Sequence, residues 1–257
     1  MTLTLTEVIA GIPVSMLLIS AFIAFVAAIL RAFTGFGFAV ASVPLFAMVL
    51  PISQALVLSA GLSLFISYFG SCKTWKNVTL SRYMLAAMLA GTVLGISLLQ
   101  RVPAPIFMVL MGFAVVASCA VLGYYRPAMA PSATRKRHAV TTGLLSGLGN
   151  GLFAMPGPPA VVYALSIYRD PDAARGYLIK FFMVTSIVAL SGYALAGYIT
   201  ATSAILLSAS IPTLMIGDRL GAALFTTHSA RAYRPVSIAL LFVSGFSSMA
   251  KGIMDLV

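Results

Sequence analysis

An apolar run extends from about Ile9 to Leu50, and near its middle it carries RAFTGFGFAVASVP, Arg31 to Pro44. One bilayer crossing needs ~20 apolar residues, so the run is about twice too long for a single helix. It also holds an arginine, two glycines and a proline at the depth where hydrocarbon tolerates them least. A run like this folds in lipid only as two helical pieces with a break between them. The break exposes backbone N–H and C=O groups, which survive at that depth only when they line a cavity or are covered by protein.

Composition extends the argument to the whole chain. Hydrophobic residues make up 61% and charged residues 8%, with a mean hydropathy of +1.05. A soluble domain carries about 25% charged residues, so this chain has too few to cover a water-facing surface. Several separate apolar runs of spanning length predict an all-α, polytopic transmembrane bundle. A β-barrel would instead alternate in strands of about ten residues. The first segment lacks the basic lead of a secretory signal and reads as a retained helix.

Apolar runs between breaks give ten candidate segments, near 8–32, 36–50, 54–72, 82–100, 104–125, 139–155, 157–168, 176–198, 201–217 and 235–254. Those at 36–50, 139–155 and 157–168 are short for a full crossing, so the expectation is about 8–10 helical segments, some broken or re-entrant. The net charge of +11 suggests nucleic acid at first, but the basic residues gather in short loops, as the positive-inside rule requires. If all ten segments reverse direction, Lys73, Lys76, Arg82, Arg126, Arg135 to Arg137, Arg169, Arg175, Arg219, Arg231 and Arg234 fall on one side. A single crossing at 139–168 would move the last five to the other side. The reading is therefore an N-terminal repeat at 1–125, a cytoplasmic basic linker at 126–138 and a C-terminal repeat at 139–257, in a cell inner membrane with external termini.

The two halves echo each other. FTGFGFAVASVP (33–44) aligns without gaps to LSGLGNGLFAMP (145–156), a spacing of 112 residues, and GTVLG (91–95) aligns to GDRLG (217–221). Five segments per half is odd, so the copies are expected to face opposite ways. Inverted repeats of this kind place a transporter's substrate near the midplane, where broken helices meet. In this alignment Arg31 has no basic counterpart.

Each motif has a plainer reading. GFGFAV lacks the third glycine and the preceding strand of a dinucleotide site. Small residues also serve close helix packing, which suits GTVLG. For Gly35/Gly37 and Gly147/Gly149 we expect backbone breaks, because a proline follows each pair by seven residues and a helix N-terminus attracts anions. In MPGPPAVVYAL (155–165) the prolines suit the first turn of a helix starting near Gly157. The amides of Val161 and Val162, with Asn150, are then candidates to face an oxyanion; a kinked structural hairpin is the alternative. Thr34 and Ser146 sit beside the glycine pairs. Lys180 either snorkels to the interface or faces a polar cavity, while Arg31 and Arg175 are topology anchors or sources of positive field. No acidic residue stands mid-segment, which argues against a metal site or a carboxylate relay, and Asp218 reads as a local partner of Arg219. His138 and His228 read as solvated, and Cys72 and Cys119 as packing residues. No catalytic constellation and no cofactor motif is seen.

TGFGFAVASVPLFAMVLPISQALVLSAGLSLFIS, GTVLGISLLQRVP, GPPAVVYALSIYRDPDAARGYLIKFF and GDRLGAALFTTHSARAYRPVSIALL, in that order, resemble the TauE/SafE sulfite exporter family over roughly residues 20–250. The resemblance implies a permease for small sulfur-containing anions such as sulfite, sulfoacetate or other organosulfonates, moved mostly outward. The Gly35/Gly37 stretch, the Gly157-Pro158-Pro159 turn and Arg175 fall where the family pattern is strongest, while Asn150 and Phe38 depart from it. The resulting expectation is a secondary transporter working by alternating access. Its site would draw on Arg31, Thr34, Gly35, Gly37, Ser146, Gly147, Gly149, Asn150, Gly157, Pro158, Arg175 and Lys180. Its partners would be a small anion and the lipid bilayer, with a homodimer left open and no nucleic acid. An anion channel, a permease for a non-sulfur anion and a membrane enzyme or assembly subunit are the rival classes.

Overall fold

A computed structural model describes residues 12–34, 37–70, 79–124, 135–168, 170–227 and 230–256. Among these, ten helices form and no strand. They are α1 (Val14–Thr34), α2 (Phe38–Ala47), α3 (Ile52–Gly70), α4 (Arg82–Leu99), α5 (Ala104–Tyr124), α6 (Arg135–Phe153), α7 (Gly157–Ile167), α8 (Pro171–Leu195), α9 (Ala201–Thr227) and α10 (Ala230–Met254). Six are long and apolar enough to cross a membrane: α1, α3, α4, α5, α8 and α9. The outward faces are apolar, with Val14, Phe22, Val93, Phe113 and Leu195 all well exposed, whereas Ser42, Ser59, Thr92, Ser146, Asn150 and Thr185 are buried. That inside-out distribution suits lipid as the surrounding solvent. Cys119 is buried in α5, in keeping with a packing role, and Cys72 lies outside the described residues.

The interrupted first run becomes α1 and α2. At 1.5 Å per residue the ten residues of α2 extend about 15 Å, half a bilayer's hydrocarbon core. Nine of its ten residues are buried, so it is a core helix held by its neighbours rather than by lipid. It packs on α1, α3, α5 and α10, and Ser42 of α2 meets Ser59 of α3 at 2.7 Å. Its N-cap, Gly37, has φ of 97°, a left-handed conformation that a side chain would strain.

In the second half the break falls later than the sequence predicts. Gly147 and Gly149 are inside α6, and the chain turns at Ala154 to Pro156, with Ala154 at φ 54° and the Met155 amide donating to the Gly149 carbonyl. The glycines of α6 serve packing instead. A Cβ on Gly147 would strike the Met88 carbonyl, and one on Gly95 would lie 2.7 Å from the Leu148 carbonyl. α4 and α6 therefore run parallel with their backbones nearly touching, at Gly91 and Gly95 on one side and Gly143, Gly147 and Gly151 on the other.

The helix ends also revise the 112-residue spacing. Thr34 and Phe153 end α1 and α6, Phe38 and Gly157 begin α2 and α7, and Ile52 and Pro171 begin α3 and α8; each pair is 119 residues apart. The identical letters of the two glycine pairs favour the shorter register, but the pairs occupy different places, one at a helix break and one mid-helix. GTVLG and GDRLG keep their predicted alignment: Gly91 packs against α6 and Gly217 packs against α1, 2.5 Å from the Phe25 carbonyl as measured from its added Cβ. The main helix pairs follow the same exchange, α4 with α6 answering α9 with α1, and α2 with α3 answering α7 with α8. α5 and α10 cross antiparallel, Gly112 facing Gly245 and Pro105 facing Gly252.

Candidate functional site

The starts of α2 and α7 converge on a cavity bounded by the second half of α3 and the middle of α8. Its walls are Arg31, Gly37 to Val40, Ser63, Ile66, Ser67, Ala154 to Gly157, Phe182 and Ser186. Four pairs of these stand 119 residues apart: Gly37 and Pro156, Phe38 and Gly157, Ser63 and Phe182, Ser67 and Ser186. The cavity thus draws matching positions from both halves. The space open to the centre of a water-sized sphere is ≈ 40 Å³. One water needs about 10–15 Å³ by that measure, so roughly three water-sized groups fit.

The two helix starts offer different donors. In α2 the Ala41 amide bonds back to the Gly37 carbonyl at 3.0 Å, which leaves the amides of Gly37, Phe38, Ala39 and Val40 without an intrahelical acceptor. All four residues line the cavity. In α7 the same four places are Pro156, Gly157, Pro158 and Pro159. Proline has no N–H, so Gly157 is the one amide donor of that turn. Val161 and Val162, expected to supply free amides, lie beyond the first turn of a helix that starts at Gly157, where amides bond within the helix.

Arg31 is the one charged side chain among the lining residues. Its Nη1 donates to Asp218 Oδ1 of α9 at 2.8 Å, with side-chain exposures of 14% for Arg31 and 34% for Asp218. Asp218 therefore pairs across the bundle rather than with Arg219. Asn150 is 119 residues after Arg31 and also reaches across to a neighbouring helix. Its Nδ2 donates to Thr92 Oγ1 at 3.3 Å and to the Thr185 carbonyl at 2.9 Å. Thr92 and Asp218 align within the GTVLG and GDRLG segments, so the two bonds are equivalent crossings, one charged and one neutral.

The other expected site residues divide clearly. Gly37 and Gly157 line the cavity with Arg31, and Pro158 follows in the same turn. Asn150, Ser146, Gly147 and Gly149 do not line it; Asn150 spends its amide on α4 and α8, and Ser146 Oγ is buried without a hydrogen-bond partner. Arg175 is exposed in the first turns of α8, close enough for its charge to act on Arg31, and Lys180 is half-buried on α8 away from the cavity wall. Gly35 and the side chain of Thr34 lie outside the described residues. Sequence reasoning missed Ser63, Ser67, Phe182, Ser186 and Asp218. The matched serines at 67 and 186 are visible only once the 119-residue spacing is known.

A multi-pass membrane protein with paired helix breaks around one cation-bearing cavity is the architecture of a membrane permease. The family model described as Sulfite exporter TauE/SafE matches residues 20–248. The chain belongs to that family of membrane transporters. No curated protein and no solved structure matches it.

Proposed function

We propose that this protein is a secondary transporter that exports a small sulfur oxyanion, sulfite above all, across the inner membrane by alternating access. One observation carries the reading: among the described residues, a single cavity is lined by Gly37 to Val40, whose amides have no acceptor within α2, by Gly157, by three serines and by one arginine. Those groups are all donors, or have donors to give, and no carboxylate stands among the described lining residues. They match an acceptor-rich anion. An uncompensated charge at mid-membrane costs at least ~2.5–3.5 kcal/mol, and Arg31 with the α2 dipole offsets that cost.

Size narrows the substrate. Room for roughly three water-sized groups suits a four-atom oxyanion. Sulfoacetate and longer sulfonates need the walls to part, so they rank below sulfite. The helix pairing that survives exchange of the halves supports an inverted repeat, and rocking of one half against the other is the motion such a repeat permits. The 126–138 linker is then cytoplasmic. Sulfite flux in proteoliposomes tests the proposal: saturable flux above protein-free vesicles is expected, and folded protein that moves no small sulfur anion would end it.

A further inference from the structure

We infer that Asp218 is a built-in competitor for the substrate: it holds Arg31 while the cavity is empty, and the arriving anion takes Arg31 from it, releasing the α1–α9 crossing. This rests on the anion reading of the cavity above.

The second half of the chain provides the comparison. There, Asn150 and Thr92 hold the equivalent α6–α4 crossing with a neutral amide–hydroxyl bond. A neutral pair is therefore sufficient to lock this kind of crossing. Removing charges from water carries a penalty for each ion even after the protein relaxes, and replacing a buried ion pair with well-packed uncharged residues is often harmless. A charged pair at the α1–α9 crossing needs another reason to be there. Position supplies one: Arg31 lines the cavity and Asn150 does not.

Charge balance then sets the sequence of events. With Asp218 on Arg31 at 2.8 Å, the one cation among the described lining residues is already neutralised. An anion entering the cavity gains the full field of Arg31 only if that carboxylate withdraws. Asp218 has the more exposed side chain of the two, 34% against 14%, so it is the less enclosed partner and has room to withdraw. Among the charged groups nearby, Arg175 of α8 is close enough to repel the Arg31 cation, and its own positive charge favours an entering anion. Arg31 belongs to the first half and Asp218 to the second. Anion binding thus breaks one of the bonds that tie the halves together, which connects occupancy to movement.

The test is anion affinity in the purified full-length protein, by calorimetry with sulfite and with methanesulfonate as probes. Asp218→Asn is expected to bind sulfite at least about tenfold more tightly than wild type, a gain of about 1.4 kcal/mol, and to turn over more slowly in proteoliposomes because Arg31 no longer has its return partner. The double variant Arg31→Asn with Asp218→Thr copies the neutral crossing of the other half; it is expected to keep the wild-type Tm and lose binding. Asp218→Asn affinity equal to or weaker than wild type, with Tm retained, overturns the competitor role alone. Absence of binding by folded wild-type protein overturns the anion reading as well.

Discussion

Asn150 is the structural counterpart of Arg31: 119 residues later, it makes the same inter-helix crossing, to Thr92 where Arg31 reaches Asp218. The pair shows how two similar halves divide their work. One crossing is neutral, buried and structural, and the other brings a charge to the wall of a cavity.

Asn150→Ala leaves the Thr92 hydroxyl and the Thr185 carbonyl short of a donor in a buried setting. A cost of about 1–3 kcal/mol follows, seen as a lower Tm in detergent. Sulfite affinity of the remaining folded protein is expected to change little, because Asn150 does not line the cavity.

Two cavity glycines separate strain from space. Gly37→Ala forces a side chain into a φ of 97°, at about 1–3 kcal/mol, so Tm and transport fall together. Gly157→Ala has ordinary backbone and only Phe182 within reach, at 3.9 Å. Its methyl is expected to leave Tm nearly unchanged while weakening sulfite binding in the small cavity. Paired thermal and binding curves on the two variants check this contrast.

Gly95→Ala tests the α4–α6 seam. Its Cβ would stand 2.7 Å from the Leu148 carbonyl, which is backbone and has no rotamer to escape into. Overpacking of about 1–3 kcal/mol is expected. Gly197→Ala is the comparison, because nothing lies within 4 Å of that position and its φ of 75° alone sets the cost. A larger loss of Tm in Gly95→Ala checks that packing, rather than backbone strain, dominates at the seam.

Much of this arrangement is legible from the sequence, and the reasons are physical. Apolar runs of spanning length mark the helices because lipid allows little else, and the ten expected segments correspond one for one with α1 to α10. Pro158 and Pro159 place the start of α7 correctly because proline fits only the first turn. The glycine pairs mislead because one residue type serves two ends: Gly37 permits a left-handed turn, while Gly147 permits close approach of two backbones. Matching letters therefore set the register seven residues short. Asp218 is misread for a related reason. Its partner is 187 positions away, and adjacency to Arg219 offers a nearer explanation that the fold does not use. α9 continues to Thr227, past the expected end at 217, so Asp218 lies within a helix and not at its edge.

Side-specific labelling checks the topology. In a variant lacking Cys72 and Cys119, Gln100→Cys, exposed between α4 and α5, is expected to react with an impermeant thiol reagent on intact cells. Ser132→Cys in the basic linker is expected to react only after the membrane is opened. The reverse pattern would overturn the proposed orientation.

The most direct measurement of the central claim is sulfite flux in proteoliposomes for wild type beside the Arg31→Asn, Asp218→Thr double variant, with Tm recorded for both. The account predicts saturable sulfite flux for wild type and flux at the protein-free level for the variant, at similar Tm. Equal flux from the two proteins would contradict it.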